Sequence, residues 1–201
     1  MPSLDHIAVA AATTEEGAVH LAASLGLPPG PGGRHAVMGT HNRLLGLEDG
    51  LYVEAIAPDP EAAPPGRARW FALDDFEGQP RLSNWVLRCE DLELVVAANP
   101  DAGRILALER GPFRWRMAVP DDGRLPFGGC FPALMQWDTA PPALPSSGLR
   151  LERLILRHPE ADALRTRLGA LVSDPRITVE PGPAAALAAR FATPDGPRDL
   201  L

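Results

Sequence analysis

The feature that most constrains this chain is a strand–helix–three-strand order that occurs twice. Leu4 to Ala11 alternates in character: Ile7, Val9 and Ala11 share one face and His6, Ala8 and Ala10 the other, the period of a strand. Thr13 or Thr14 then caps a helix with Glu15 and Glu16 in its first turn, where the helix dipole favours carboxylates. Ala18, Leu21, Ala22 and Leu25 form its apolar stripe, and Gly26 supplies a left-handed stop. Strands are expected at about 34–38, 40–47 and 51–57, with Glu48-Asp49-Gly50 as the hairpin turn. A second unit follows. Leu82-Ser83-Asn84-Trp85-Val86-Leu87 can be laid on Leu4-Asp5-His6-Ile7-Ala8-Val9, a weak helix is expected at about 91–98, and strands at 105–109, 113–119 and 132–137. From His6 to Glu54 is 48 positions and from Asn84 to Gln136 is 52, so the repeat keeps its spacing.

Between the units, residues 58–80 are rich in Pro, Ala and charge, and Trp70-Phe71 within them implies that this connection packs onto something. After a linker at 140–148 the strand–helix order returns: a strand at 149–156, a helix at about 160–171 striped by Leu164, Leu168 and Leu171, and short strands at 177–180 and 186–192. Arg153 stands where His6 and Asn84 stood. The chain thus reads as one domain, 1–201, made of a first module (1–60), a second with a weak helix (80–139) and a partial third (148–201).

Composition narrows the function classes. The formal charge is −7 and every one of the 19 cationic side chains is Arg. A nucleic-acid surface needs clustered cations, so none is expected. No apolar stretch approaches the ~20 residues of a membrane span, and the N-terminal stretch lacks the basic region of a leader. No membrane association is expected, and the expected location is cytoplasmic. Cys89 and Cys130 match no disulfide framework or zinc spacing and read as buried or half-buried free thiols. Neither a P-loop, a dinucleotide fingerprint nor a nucleophile elbow occurs.

The strand faces point to candidate residues. Leu51, Val53 and Ala55 form the face that meets the helix, so Tyr52, Glu54 and Ile56 point away from it, and His6 opposes Ile7 and Val9 in the same sense. His6 and Glu54 are expected to share the non-helix side; were that side open to solvent, Glu54 would be an ordinary surface carboxylate. Either His41 or Asn42 reaches the same face, His41 having the alternative of fixing a loop. Arg34 and His35 fall at a turn and read as rim residues. In Phe113-Arg114-Trp115-Arg116-Met117 the two arginines share a face: a carboxylate or phosphate clamp if concave, a solvated outer face otherwise.

Two such modules, with Leu4-Asp5-His6-Ile7, Gly39-Thr40-His41-Asn42, Tyr52-Val53-Glu54 and Leu82-Ser83-Asn84-Trp85 in this order, resemble the glyoxalase-like domain group of the vicinal oxygen chelate (glyoxalase/bleomycin resistance/dioxygenase) superfamily. The resemblance implies an α+β fold of repeated βαβββ modules whose curved mixed sheet forms a cup with helices on the outside. It implies a small-molecule ligand, is compatible with a homodimer, and carries the family's divalent metal ion positions onto His6, Glu54, Asn84 and Gln136. His6 and Glu54 suit a metal; Asn84 and Gln136 replace charged or imidazole donors by neutral amides, leaving Gln136 the weaker metal ligand and Asn84 a ligand-binding position. Glu54 is the candidate catalytic base. Asn84, Arg114, Arg116 and Gln136, with His41 and Asn42, are candidate ligand-binding residues. Two functions follow: a metal-dependent enzyme of lyase, isomerase or dioxygenase type acting on a small oxygenated substrate, or a metal-free binding or sequestering module of the resistance type. An interaction domain whose cup is filled by its own side chains is the third.

Overall fold

The computed structural model describes residues 1–201. The first module supplies β1 (Ser3–Ala10), α1 (Thr14–Leu25), β2 (Arg34–His35), β3 (Thr40–Gly46) and β4 (Tyr52–Pro58). The second supplies β5 (Arg81–Arg88), α2 (Leu92–Ala97), β6 (Arg104–Arg110), β7 (Phe113–Val119) and β8 (Ala133–Trp137). Local chemistry sets the helix ends as expected: the Thr13 hydroxyl accepts from the Glu16 amide at 3.1 Å, and Gly26 ends α1 at φ 82°. The strand expected at 34–38 is shorter, because Ala36 to Gly39 turn back at once.

All eight strands join one sheet in the order β2-β3-β4-β1-β5-β8-β7-β6. β1 pairs in parallel with β4, β5 in parallel with β8, and β1 with β5 antiparallel, so the modules meet at the centre. The sheet curls until its edges nearly meet, and the Arg110 side chain from β6 lies over Gly33 beside β2; a β-carbon at Gly33 would stand 2.6 Å from Arg110 Cδ. The result is an α+β cup with its helices outside. α1 lies close on its outer face: Gly17 meets Ala55 so tightly that a β-carbon there would stand 2.8 Å from the Ala55 methyl.

Residues 150–200 depart from the expected repeat. They form β9 (Arg150–His158), α3 (Ala161–Gly169), β10 (Ile177–Pro181), β11 (Ala186–Thr193) and β12 (Gly196–Leu200), a separate sheet ordered β10-β9-β11-β12. The strand–helix–three-strand order is complete, but β9 pairs in parallel with the strand after its helix, whereas β1 and β5 pair with the last strand of their modules. This sheet lies against the outer face of the cup. Leu154, Leu156 and Phe191 share one core with Ile7, Leu21, Val53 and Trp85. A second core fills the concave side, where Trp70, Phe71 and Leu73 from the long connection sit on Ile56, Trp115 and Met135. Both cysteines are buried free thiols, and no helix is long and apolar enough to cross a membrane.

Gln136 illustrates how a one-residue offset changes a side chain's task. Its neighbours Met135 and Trp137 face the cup. Gln136 therefore faces outward, and its Oε1 accepts from the Leu92 amide at the start of α2 at 2.9 Å. Gln136→Ala frees a helix-terminal donor and is expected to lower stability by about 1 kcal/mol, read as a lower urea midpoint at unchanged slope.

Candidate functional site

The site begins with an irregularity in β1. The β1–β5 ladder skips Asp5: Leu4 faces Leu87, and His6 faces the next residue, Val86. The extra residue lets two adjacent polar side chains reach the concave side, as bulges do when they re-aim a side chain. Asp5 Oδ1 lies 2.7 Å from His6 Nδ1, and its Oδ2 accepts from the Trp137 indole N–H at 2.9 Å. On β4, two positions beyond the Tyr52 that stacks on the His6 ring (4.4 Å, 13°), Glu54 brings Oε1 to 3.5 Å from His6 Nε2. Its Oε2 accepts from the Asn42 amide at 2.7 Å. Asn42 Oδ1 in turn accepts from the Gly33 amide at 3.0 Å and from Arg110 Nη1 at 3.1 Å. A polar chain thus runs Arg110–Asn42–Glu54–His6–Asp5–Trp137 across five strands. Around it stand His35, Trp70, Phe71, Trp115, Met117 and Met135, enclosing a cavity of about 30 Å³. That is room for about two water molecules.

Burial sets the electrostatics, since His6 and Glu54 are only 5% and 4% exposed. Burial alone pulls the His6 pKa down, but hydrogen bonds to Asp5 and Glu54, with their charges, outweigh it and raise it to about 9. Burial pushes Glu54 up, and the His6 hydrogen bond and charge more than reverse it, so Glu54 titrates below its ordinary range. Asp5 is lowered in the same way, by His6 above all. For His35, burial, with the positive charges of Arg110 and His6, outweighs the upward pull of Glu54 and holds the pKa at about 4, which leaves the ring neutral, with Nδ1 3.0 Å from the Thr40 hydroxyl. Two histidines of one cup are held in opposite charge states.

Of the candidate residues, His6, Glu54 and Asn42 come together. His41 lies on the other face of β3, with Arg43 and Leu45, as alternation from Asn42 requires. Arg114 and Arg116 are outside the cup: Arg116 pairs with Glu93 of α2 and with Asp138 at 3.1 Å, and Arg114 with Glu109 at 3.1 Å. They take the solvated alternative because the concave side of β7 belongs to Trp115 and Met117. Asn84 is on the concave side but not in this cavity; the Phe71 side chain stands between. His35, expected at the rim, is inside and 4% exposed, while Arg34 stays outside with Asp59 and Glu61. Asp5 and Arg110 join the site without being among the candidates. Strict alternation puts Asp5 on the wrong face, whereas Leu106, Leu108 and Arg110 do alternate, and that signal was present.

The sequence model of the glyoxalase-like domain family matches residues 4–172. The chain belongs to this family. It is a glyoxalase-like protein. A crystal structure of a hypothetical protein from Staphylococcus aureus superposes with TM-score 0.64 at 15% identity, covering 92% of this chain and 88% of that one. Methylmalonyl-CoA epimerases are more distant. The Mycobacterium tuberculosis enzyme gives TM-score 0.44 at 20% identity over 69% of this chain and 88% of its own. A Streptomyces coelicolor variant in complex with 2-nitronate-propionyl-CoA gives 0.44 at 16% over 71% and 98%. No curated protein sequence matches significantly.

The glyoxalase-like fold raises the question of a divalent metal, and the donor set answers it. His6 Nε2 and Glu54 Oε1 face each other, and the Asp5–His6 hydrogen bond is the kind that orients a ligating imidazole. A third donor is missing: the second module contributes Met135, Trp115 and Trp137 to the cavity, Gln136 caps a helix on the other face, and no group of three or more His, Cys, Asp or Glu residues is arranged to hold an ion. Two donors fall short of the three or four protein ligands that hold zinc. These residues do not fit a tightly bound divalent metal.

Proposed function

We propose that this glyoxalase-like chain is a small-molecule-binding protein whose cup works through hydrogen bonds and charge, without a bound metal. The observation that carries this reading is the Arg110–Asn42–Glu54–His6–Asp5 chain, in which each carboxylate oxygen of Glu54 already faces a donor. Arg110 has no carboxylate within ion-pair distance, so the cavity offers an unpaired guanidinium beside an ionised carboxylate and aromatic walls. That combination suits a small oxygenated organic acid, its carboxylate on Arg110 and a hydroxyl or N–H turned to Glu54. Glu54 is the group placed to take a proton from such a ligand, and His6 stabilises its charge.

The test has two arms. Chelator-treated protein is titrated with Zn²⁺ and Mn²⁺, then with lactate and pyruvate at millimolar concentration, following melting temperature and, for the metals, retention after dialysis. We expect no stoichiometric metal retention, and a rise in melting temperature with at least one of the acids that Arg110→Met removes. One equivalent of metal retained by the native chain and lost in Glu54→Gln would replace this reading by the second one, a metal-dependent lyase, isomerase or dioxygenase. The observation favouring that alternative is the mutual approach of His6 Nε2 and Glu54 Oε1.

A further inference from the structure

Beyond Phe71 lies a larger space that the His6 site does not use. It is a cleft of about 830 Å³, within the ordinary size of ligand pockets, between β5, the segments 71–76 and 124–129, and the outer sheet at Arg157 and Ala185–Leu187. Its floor holds Asn84, 3% exposed. Asn84 Oδ1 accepts the Ser83 hydroxyl at 2.9 Å, but its amide nitrogen donates to no atom of the chain. That nitrogen borders the cleft, so its donor capacity is open to a ligand oxygen. Gly129 keeps that nitrogen reachable. At φ 92° its backbone passes so close that a β-carbon would stand 2.5 Å from the Ser83 carbonyl and 3.2 Å from the Asn84 amide nitrogen.

At the mouth stand three guanidinium groups. Arg124 pairs with Asp75 at 2.8 Å and Arg157 with Glu180 at 3.1 Å. Arg81 has no carboxylate within ion-pair distance; its Nη1 donates to the Glu77 and Gln79 carbonyls at 2.8 and 3.4 Å, and its guanidinium lies 4.4 Å from the centre of the Phe76 ring. Phe71, Phe76, Leu82, Leu125 and Leu187 make the walls apolar. We infer that this cleft is a second ligand site, for a molecule with an apolar body and one oxyanion group, Asn84 donating at the floor and Arg81 neutralising charge at the mouth. It shares only Phe71 with the His6 cavity, so either site stands if the other fails.

8-Anilinonaphthalene-1-sulfonate, an aromatic anion of this class, is the probe. Titration into the folded full chain, followed by fluorescence, is expected to show one saturable site. Arg81→Met and Asn84→Leu should each weaken binding by about tenfold, with Arg81→Lys restoring part of the loss and the exposed control Arg150→Met changing it less than twofold. Melting temperature and near-ultraviolet dichroism check that each variant is folded; Arg81 is at the surface, so its variant decides the matter if Asn84→Leu does not fold. Absence of saturable binding, an unchanged affinity in Arg81→Met, or a loss confined to Glu54→Gln, which would put the dye in the other cavity, overturns the inference.

Discussion

Truncating Trp85 to alanine is expected to lower stability by about 3–5 kcal/mol and the melting temperature by roughly 6–20 °C for a chain of this size. Trp85 is fully buried on the outer face of β5, in the core shared by both sheets, and its indole N–H donates to the Cys130 carbonyl at 3.0 Å. The substitution therefore opens a cavity at the junction of the two sheets and strips a buried carbonyl of its donor. Trp85→Phe separates the two effects: it keeps much of the volume but loses the hydrogen bond, and is expected to cost about 1–3 kcal/mol. Urea unfolding measures both. A loss under about 1.5 kcal/mol in the alanine variant would mean that the outer sheet is not a structural partner of the cup.

Stability is also expected to peak near pH 6.5 and to fall on both sides. His6 keeps its proton up to about pH 9 in the folded chain against 6.5 unfolded. The native state therefore binds the extra proton between those values, and the stabilisation, complete below about 6.5, is lost as pH rises through 9. His35 behaves oppositely. Its folded pKa near 4 means that the unfolded chain takes up the proton first, so stability complete above 6.5 is lost as pH falls towards 4. Each gap corresponds to about 3 kcal/mol at most. Further acidification adds the loss of Asp5 and Glu54, whose folded pKa values lie below their ordinary range. Denaturation midpoints from pH 4.5 to 9.5 read the curve: His6→Gln should flatten the alkaline limb and His35→Gln the acid limb. A native curve level between 6.5 and 9 would refute the charged state assigned to His6.

The parts of this fold legible in the sequence are those where one face differs chemically from the other. The run 51–56 alternates Leu51, Val53 and Ala55 against Tyr52, Glu54 and Ile56, and the structure puts the first set in the outer core with Leu21 and Leu25 of α1 and the second in the cup. In β8 the signal disappears: Ala133, Leu134 and Met135 are all buried, because that strand is covered on both sides, and alternation then carries no face information. Placing Gln136 opposite Glu54 rested on the repeat alone, and the register is offset by one. The outer sheet was legible as a list of elements except β12, an edge strand carrying Pro197 that reads as a turn. Its pairing was not legible, since the same element order serves two different partners for the first strand.

The skipped rung at Asp5 has a wider consequence. Polar groups that cooperate across a strand are usually sought two positions apart, yet here the carboxylate and the imidazole are chain neighbours, and one surplus residue in the ladder turns both inward. Removing that surplus would restore a regular strand and send one of the pair to the opposite side. Sequences of this kind are therefore better searched for an adjacent acid–histidine pair just ahead of an alternating apolar run than for two ligands at even spacing.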